Sequence, residues 1–457
     1  MPVLQSACSF LIRLIYKKFY LPSSSLDKEI FRISVPNILS NISIPLLGIV
    51  DTALMGRMDD PAYIGAIAIG GIIFNILYWG FGFLRPGTTG LTAQAYGKKQ
   101  FGECYRLLIR ALILGIAFGC ILWLIAKPVG SFFFGILEGS DKVMALSSEY
   151  YYLRILAAPA VLCLFAFRGW FFGMQNAIAP MVLTIVANIL NIYLSWLYVM
   201  KMDMSVRGVA YGTVLAQWIT FLLAILIFVY RYKLYVFRYF DKAILKAEEL
   251  KRFLVVNRDM FIRNLGLILV FSFFTNYSSK MGDRYLAINQ MLLELFYFMS
   301  YAIDGFAYAS ESLVGKYLGA GDIASTRKVI KKCLQYGLGL GLMYSLAYLS
   351  FGNEILSIFT DNENLIREGK HYLIWCAGVG LAGPLAFIWD GVYSGATASV
   401  ELRNSMLLSV VLFFIVFYTS KTFYPLIAIW LAMIAFMLGR SLFQIVYYKQ
   451  SILLKWQ

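Results

Sequence analysis

Gln290–Lys316 reads QMLLELFYFMSYAIDGFAYASESLVGK, a stretch that is mostly apolar yet contains Glu294, Asp304 and Glu311. About 20 residues suffice for a helix to cross a bilayer, so the stretch predicts a membrane span. At 100° per residue, Glu294, Tyr297, Tyr301, Asp304, Tyr308 and Glu311 fall within an arc of about 100°. Lipid does not tolerate such a stripe, so it must face a protected or watered interior, and other spans must surround it. Glu294 is the deepest ionisable member and the candidate for a titrating or cation-binding carboxylate. Asp304 and Glu311 lie nearer the Lys316 end, where pairing with a basic residue is equally open.

The remainder of the chain supplies those other spans. Its 457 residues are 60% hydrophobic and only 14% charged, with a mean hydropathy of +0.71. Soluble domains carry about 25% charge. The class is therefore all-α polytopic membrane protein, with no room for a large soluble domain. Apolar runs predict twelve transmembrane helices, near 30–56, 62–89, 105–127, 146–170, 178–200, 206–230, 253–279, 284–313, 334–351, 368–394, 403–420 and 424–447. Alternate links concentrate Lys98, Lys99, Arg231, Lys233, Arg238, Lys242, Lys246, Lys251, Arg252, Lys316, Arg327, Lys328, Lys331 and Lys332, while the opposite links are balanced or acidic. That asymmetry predicts both termini in the cytoplasm. The net charge of +15 is then mostly topology, and nucleic acid binding is the weaker reading. Residues 1–29 read as a short cytoplasmic interfacial segment, 30–230 and 253–447 as two lobes, 231–252 as a basic linker and 448–457 as a cytoplasmic tail. Six scattered cysteines and one histidine, His371, have no metal-ligand spacing.

The first half recurs in the second. RGWFFG (Arg168–Gly173) matches DGVYSG (Asp390–Gly395), and the Gly97, Lys98 pair matches Gly315, Lys316 at nearly the same offset. Six spans per lobe keep both copies in one orientation, related by an axis along the membrane normal, with a cleft between them. A cleft able to open to either side is a transporter's architecture, whereas a channel needs a continuous pore.

The remaining polar groups suggest where coupling occurs. In PNILSNISIPLLGIVDTALMG (Pro36–Gly56), Asn37, Ser40 and Asp51 share one face, and Pro45 can bend the helix. A carboxyl removed from water at Asp51 suits proton exchange, or alternatively helps hold Na⁺ with neighbouring oxygens. Asn188 and Asn191 are expected either to bond between helices or to support Asp51. Arg85 belongs to the first-lobe counterpart of the Glu294 stripe. Arg168 and Asp390 open the paired words and are expected to secure gates or loops. Numerous aromatic residues, 17% of the chain, permit a cleft suited to flat, amphipathic or cationic solutes.

With these motifs on view, the chain resembles the multidrug and toxic compound extrusion transporters of the DinF-like branch. The carrying residues are Pro36–Gly56, IGAIAIG (Ile64–Gly70), FGFLRPGTTGLTAQAYGKK (Phe81–Lys99), RGWFFGMQNAIAP (Arg168–Pro180), NILNIYLS (Asn188–Ser195) and DGFAYASESLVGK (Asp304–Lys316). The resemblance implies two six-helix lobes and export of organic compounds driven by inward H⁺ or Na⁺. It also implies cation coupling at Asp51, with Glu294 as a secondary site. Several members carry an aspartate where this chain has Ser195, so their two-aspartate site is incomplete here and Asp51 would act with amides and hydroxyls. The expected protein is a bacterial inner-membrane antiporter, functional as a monomer, without cofactor or catalytic residues. The alternatives are a lipid-linked sugar flippase, which a more cationic cavity would favour, an intramembrane enzyme, and a channel. Because carboxylates outnumber arginine on the interior stripe, the cavity is expected not to be cationic.

Overall fold

The computed structural model describes residues 25–55, 60–236 and 247–455. The interfacial segment predicted before residue 25 and the linker positions Arg238, Lys242 and Lys246 lie outside the described residues. The first half comprises α1 (Leu26–Met55), α2 (Ala62–Phe81), α3 (Leu84–Gly97), α4 (Phe101–Leu124), α5 (Ala126–Ile136), α6 (Asp141–Arg154), α7 (Ala158–Gly173), α8 (Ile178–Trp196) and α9 (Ser205–Val236). The second comprises α10 (Ala247–Lys280), α11 (Asp283–Gly319), α12 (Ile323–Ser350), α13 (Gly352–Ser357), α14 (Glu363–Gly395), α15 (Ser399–Lys421) and α16 (Ala428–Tyr448).

The fold is an all-α polytopic membrane fold built from two pseudo-symmetric helical bundles. Among the described residues, nine helices are long and apolar enough to cross a membrane. α1, α10 and α12 are long helices outside that set. α10 carries Arg258, Asp259 and Arg263 within its apolar stretch, and in α12 the uncharged stretch after Lys332 is interspersed with Gln335, Tyr336, Tyr344 and Tyr348. Outward faces stay apolar, with Ile189, Leu226, Leu346, Ile415 and Val446 exposed, as contact with hydrocarbon requires. Two predicted spans are interrupted. The second divides at Gly82–Phe83 into α2 and α3, and the fourth has a 3₁₀ turn at Ile155–Ala157 just before Pro159. Proline lacks an amide proton, so a break there costs the helix little. Short helices α5 and α13 occupy links the sequence reading left unassigned. Side-chain caps fix several starts: Ser140 before α6, Asp322 before α12 and Asn362 before α14 each accept a backbone N–H. α1 is helical throughout Leu26–Met55, and the Pro45 side chain lies outside the described ones.

The register of the repeat is sharper than the sequence words suggest. Left-handed backbone recurs at Lys99 and Gly321, and at Gln175 and Thr397, each pair separated by the same offset as Arg168 and Asp390. Gly169 packs on the Arg85 carbonyl and Gly391 on the Ala307 carbonyl, so that offset holds on both sides of the contact. Across the halves, Gly97 meets the Lys316 carbonyl while Gly319 meets that of Gln94. A Cβ at either glycine would collide with that backbone, so both must be glycine for the halves to close. The structural partner of Gly97 is therefore Gly319, and the Gly315 match lies one helical turn off. A slip of one turn keeps nearly the same helix face, so short words could not detect it.

Hydrogen bonds also join the halves from both sides. Gln94 Nε2 on α3 donates to the Gly395 carbonyl (2.9 Å) and Thr397 Oγ1 (3.1 Å). On α11, Ser312 Oγ donates to the Phe172 carbonyl (2.6 Å), and Gln175 Nε2 donates to the Ser312 carbonyl (3.0 Å). Beyond them, Lys316 and Tyr317 reach Glu29 (2.9 Å each), and Lys332 (2.5 Å) and Tyr336 (2.6 Å) reach Asp27. These contacts close one end of the molecule, at the start of α1 and the end of α11.

Candidate functional site

Above that seam lies a cavity of about 440 Å³, walled by both halves. Its polar lining includes Asn37, Ser40 and Asn41 from α1, Tyr78 from α2, Arg85 from α3, Arg168 from α7, Arg263 and Asn264 from α10, and Tyr308 from α11. Apolar lining comes from Trp79, Phe165, Phe172, Leu267 and Phe271. Three guanidiniums reach the wall, and none of its described lining residues is Asp or Glu. That overturns the expectation that carboxylates would dominate the interior, because the acids serve as partners behind the wall.

Glu311 is 2% exposed and accepts from Arg85 Nη1 at 3.1 Å, which ties α11 to α3 across the halves. The Arg85 guanidinium also lies 4.0 Å above the Tyr308 ring. A carboxylate this buried persists only when paired. Glu311 is thus paired with a basic residue, one of the two readings open for it, and that residue is Arg85; Lys316 bonds Glu29. Asp390 is bound by Arg263, by Arg440 and, at 2.7 Å, by Gln444 Nε2. It holds α10, α14 and α16 together. Asp304 lies within electrostatic reach of Arg85, Arg263, Arg440 and Asp390. Among the described residues, the Arg168 side chain has neither a hydrogen bond nor an ion pair, and its buried Nε is unsatisfied.

The first-half candidates divide into three places. Asn37 and Ser40 line the cavity, where Asn37 Nδ2 donates to the Ile33 carbonyl of its own helix (2.8 Å). Asn188 Nδ2 donates to the Ser43 carbonyl (3.0 Å) and Oγ (2.9 Å), clasping α8 to α1. Asn191 donates to Thr213 on α9 (2.9 Å) and accepts from Ser195 (3.3 Å). Both are the inter-helix bonds expected of amides in membranes. None of these donates to Asp51, which lies about three turns beyond Ser40 at ~1.5 Å per residue. The structure thus does not assemble the five polar residues into one Asp51 pocket. Asp51 instead neighbours Arg154 and Tyr150, and its buried Oδ1 has no partner among the described residues. Arg154 Nη1 donates to Tyr150 Oη (2.8 Å), and its guanidinium lies 4.6 Å from the Phe74 ring centre.

In the second half, Glu294 is exposed on α11, in the same arc as Tyr297 and Tyr301. The Tyr301 carbonyl accepts from Asn41 Nδ2 (3.1 Å), another link between halves. His371 is exposed. Among the described residues, no cluster of three or more His, Cys, Asp or Glu could hold a metal ion. Sequence reasoning missed Arg154, Arg263 and Arg440, although each interrupts an apolar run. The rule that marks an intramembrane acid applies equally to these bases.

A family model described as MatE matches residues 36–197 and 260–419, two segments that begin at matching places in the two halves, in keeping with the repeat. DNA damage-inducible protein F of Escherichia coli (strain K12) is 36% identical over 441 residues, 95% of this chain and 94% of that protein. A structure of a variant of the Vibrio cholerae MATE transporter VcmN superposes with a TM-score of 0.84 at 17% identity, covering 94% of this chain and 97% of that one. A multidrug resistance MATE family transporter in an outward-facing conformation gives 0.81 at 16% identity, over 93% and 95%. The structural matches speak for the fold, and the sequence match extends nearly end to end. On a model matching both halves and a full-length relative, the chain belongs to the MatE family, the multidrug and toxic compound extrusion transporters.

Proposed function

We infer that this chain is a secondary-active antiporter that exchanges organic solutes for H⁺ or Na⁺ by alternating access, a transporter and not an enzyme. The central cavity carries this reading: both halves wall it, and a pseudo-symmetric seam closes it at one end. Two bundles that meet along such a seam can rock about it, so the same site faces one side and then the other. A ligand shifts that balance only if it binds one state better.

Twelve helices cross a bacterial inner membrane as two six-helix lobes, with both termini cytoplasmic and one chain sufficient for transport. Lys98, Lys99, Lys316, Lys328, Lys331 and Lys332 lie at the sealed end, and the positive-inside rule assigns that end to the cytoplasm. The cavity is then open outward.

Asp51 couples transport to the ion gradient, and H⁺ is the ion its surroundings favour. Na⁺ needs several oxygen ligands, whereas the charged neighbour here is Arg154, which opposes a second cation. Protonation removes the charge that attracts Arg154 and frees the arginine's contact with Tyr150 and Phe74 on α6 and α2. Glu294, exposed on α11, is the secondary candidate. The arginine-lined cavity also supports a flippase for an anionic headgroup, the second reading.

Efflux of an organic dye from proteoliposomes tests the coupling, with pH and Na⁺ gradients imposed separately on wild type, D51N and E294Q. D51N is expected to bind dye yet lose gradient-driven efflux by at least ~10-fold, and E294Q to lose less. Unchanged efflux by D51N would remove Asp51 from the mechanism.

A further inference from the structure

We propose that the central cavity takes an amphipathic organic monoanion, and that Arg168 is the residue that receives its negative group. The proposal rests on the antiporter reading and names the class of solute carried.

The charges around the cavity are not balanced. Arg85 is neutralised by Glu311, while Arg263 shares Asp390 with Arg440. Arg168 has no such counter-ion among the described residues; it borders the cavity, and the charge acting on it is that of Arg85, another cation. Counting the whole network, Arg85, Arg168, Arg263 and Arg440 face Asp304, Glu311 and Asp390, an excess of one positive charge with every acid ionised. A cationic solute would enter against three guanidiniums at the wall. A monoanion completes the balance.

Arginine suits that task because its planar fork of donors matches the paired oxygens of a carboxylate, sulfonate or phosphate. Arg168 lines the open cavity and makes no hydrogen bond among the described residues, and its terminal guanidinium nitrogens are not buried, which leaves them able to bond an incoming oxygen. The apolar part of the solute has its own surface, since Phe165, Phe172, Phe271 and Leu267 border the same space. At about 440 Å³ the cavity is near the small end of ligand pockets, which span roughly 300–1,000 Å³, and it suits a fused-ring body. Aromatic lining alone had pointed equally to cations; the arginines decide the sign.

The test uses the full chain in detergent and in proteoliposomes with two probes of matched shape, naphthalene-2-sulfonate and N-methylquinolinium. Wild type is expected to bind the sulfonate at least ~10-fold more tightly. R168Q should lose at least ~10-fold in sulfonate affinity with quinolinium binding unchanged, and R168K, which keeps the charge but not the planar fork, should fall between R168Q and wild type. A wild-type preference for quinolinium, or R168Q binding the sulfonate as wild type does, would overturn the proposal. The wild-type ratio serves as the test even where R168Q fails to fold. Transport separates the two layers of inference: gradient-driven efflux of quinolinium alone upholds antiport and sinks the anion, whereas tight sulfonate binding without coupled movement upholds the anion and sinks antiport. A third arm follows fluorescent phosphatidylglycerol across the bilayer. Arg168-dependent flipping of that lipid supports a membrane-borne source for the anion, and movement of the free sulfonate alone supports a soluble one.

Discussion

Arg168 and Asp390 stand at the same place in the two halves, each followed by a glycine that packs on the backbone of a neighbouring helix. Their surroundings differ completely. Asp390 is bound by two arginines and a glutamine, whereas Arg168 borders an open cavity without a counter-ion among the described residues. The repeat has kept the backbone geometry and let the side chains diverge. Close helix approach needs glycine on both sides of the pseudo-axis, while a solute needs a charge on one side only. Function therefore lies in the asymmetry and mechanical closure in the symmetry.

Charge removal breaks the comparison most strongly. D390A leaves Arg263 and the 1%-exposed Arg440 facing each other in the bilayer interior. Removing one partner of a buried pair costs about 3–5 kcal/mol, so a marked fall in thermal midpoint is expected. R168Q has no partner to orphan and should shift the midpoint far less. Equal losses in the two variants would mean that Arg168 is structural as well.

Closure should instead respond symmetrically. G97V and G319V each force a side chain into the partner half's backbone, at the Lys316 and Gln94 carbonyls respectively. Overpacking of this kind costs about 1–3 kcal/mol. Both variants are expected to part the sealed end to a similar degree, read as faster thiol labelling of S312C in a cysteine-free background. A response to one substitution alone would show that the seam is not a paired device.

The membrane class and the repeat were legible in the sequence because composition and spacing leave local marks. The break at Gly82–Phe83 was not, since an apolar run continues across it and only tertiary packing tells bend from straight helix. Nor was the cavity's sign. Counting residues on the α11 stripe suggests an acidic interior, but Glu311 and Asp390 are consumed by arginines from α3, α10 and α16, contacts across long sequence separations. Asn191 was open to either inter-helix bonding or support of Asp51, and it bonds α9 through Thr213 while accepting from Ser195 of its own helix.

The smallest expected effect concerns another equivalent pair, Arg110 and Lys332, related by the same offset as Arg168 and Asp390. Arg110 bonds Glu103 within its own half at 2.5 Å. The place equivalent to Glu103 holds Ser325, so Lys332 finds its acid across the seam, at Asp27. Hydrogen bonds from Lys332 and Tyr336 hold the Asp27 carboxyl below its ordinary value. A depressed carboxylate stabilises the closed seam fully above the unfolded-state pKa, near about 3.9, and loses that contribution as pH falls through the folded value. D27N should therefore lower the thermal midpoint slightly and by a constant amount above about pH 5, with the gap to wild type fading below about pH 4. A gap that stayed constant to still lower pH would assign the effect to the Tyr336 hydrogen bond, and charge would then have no part in latching this end.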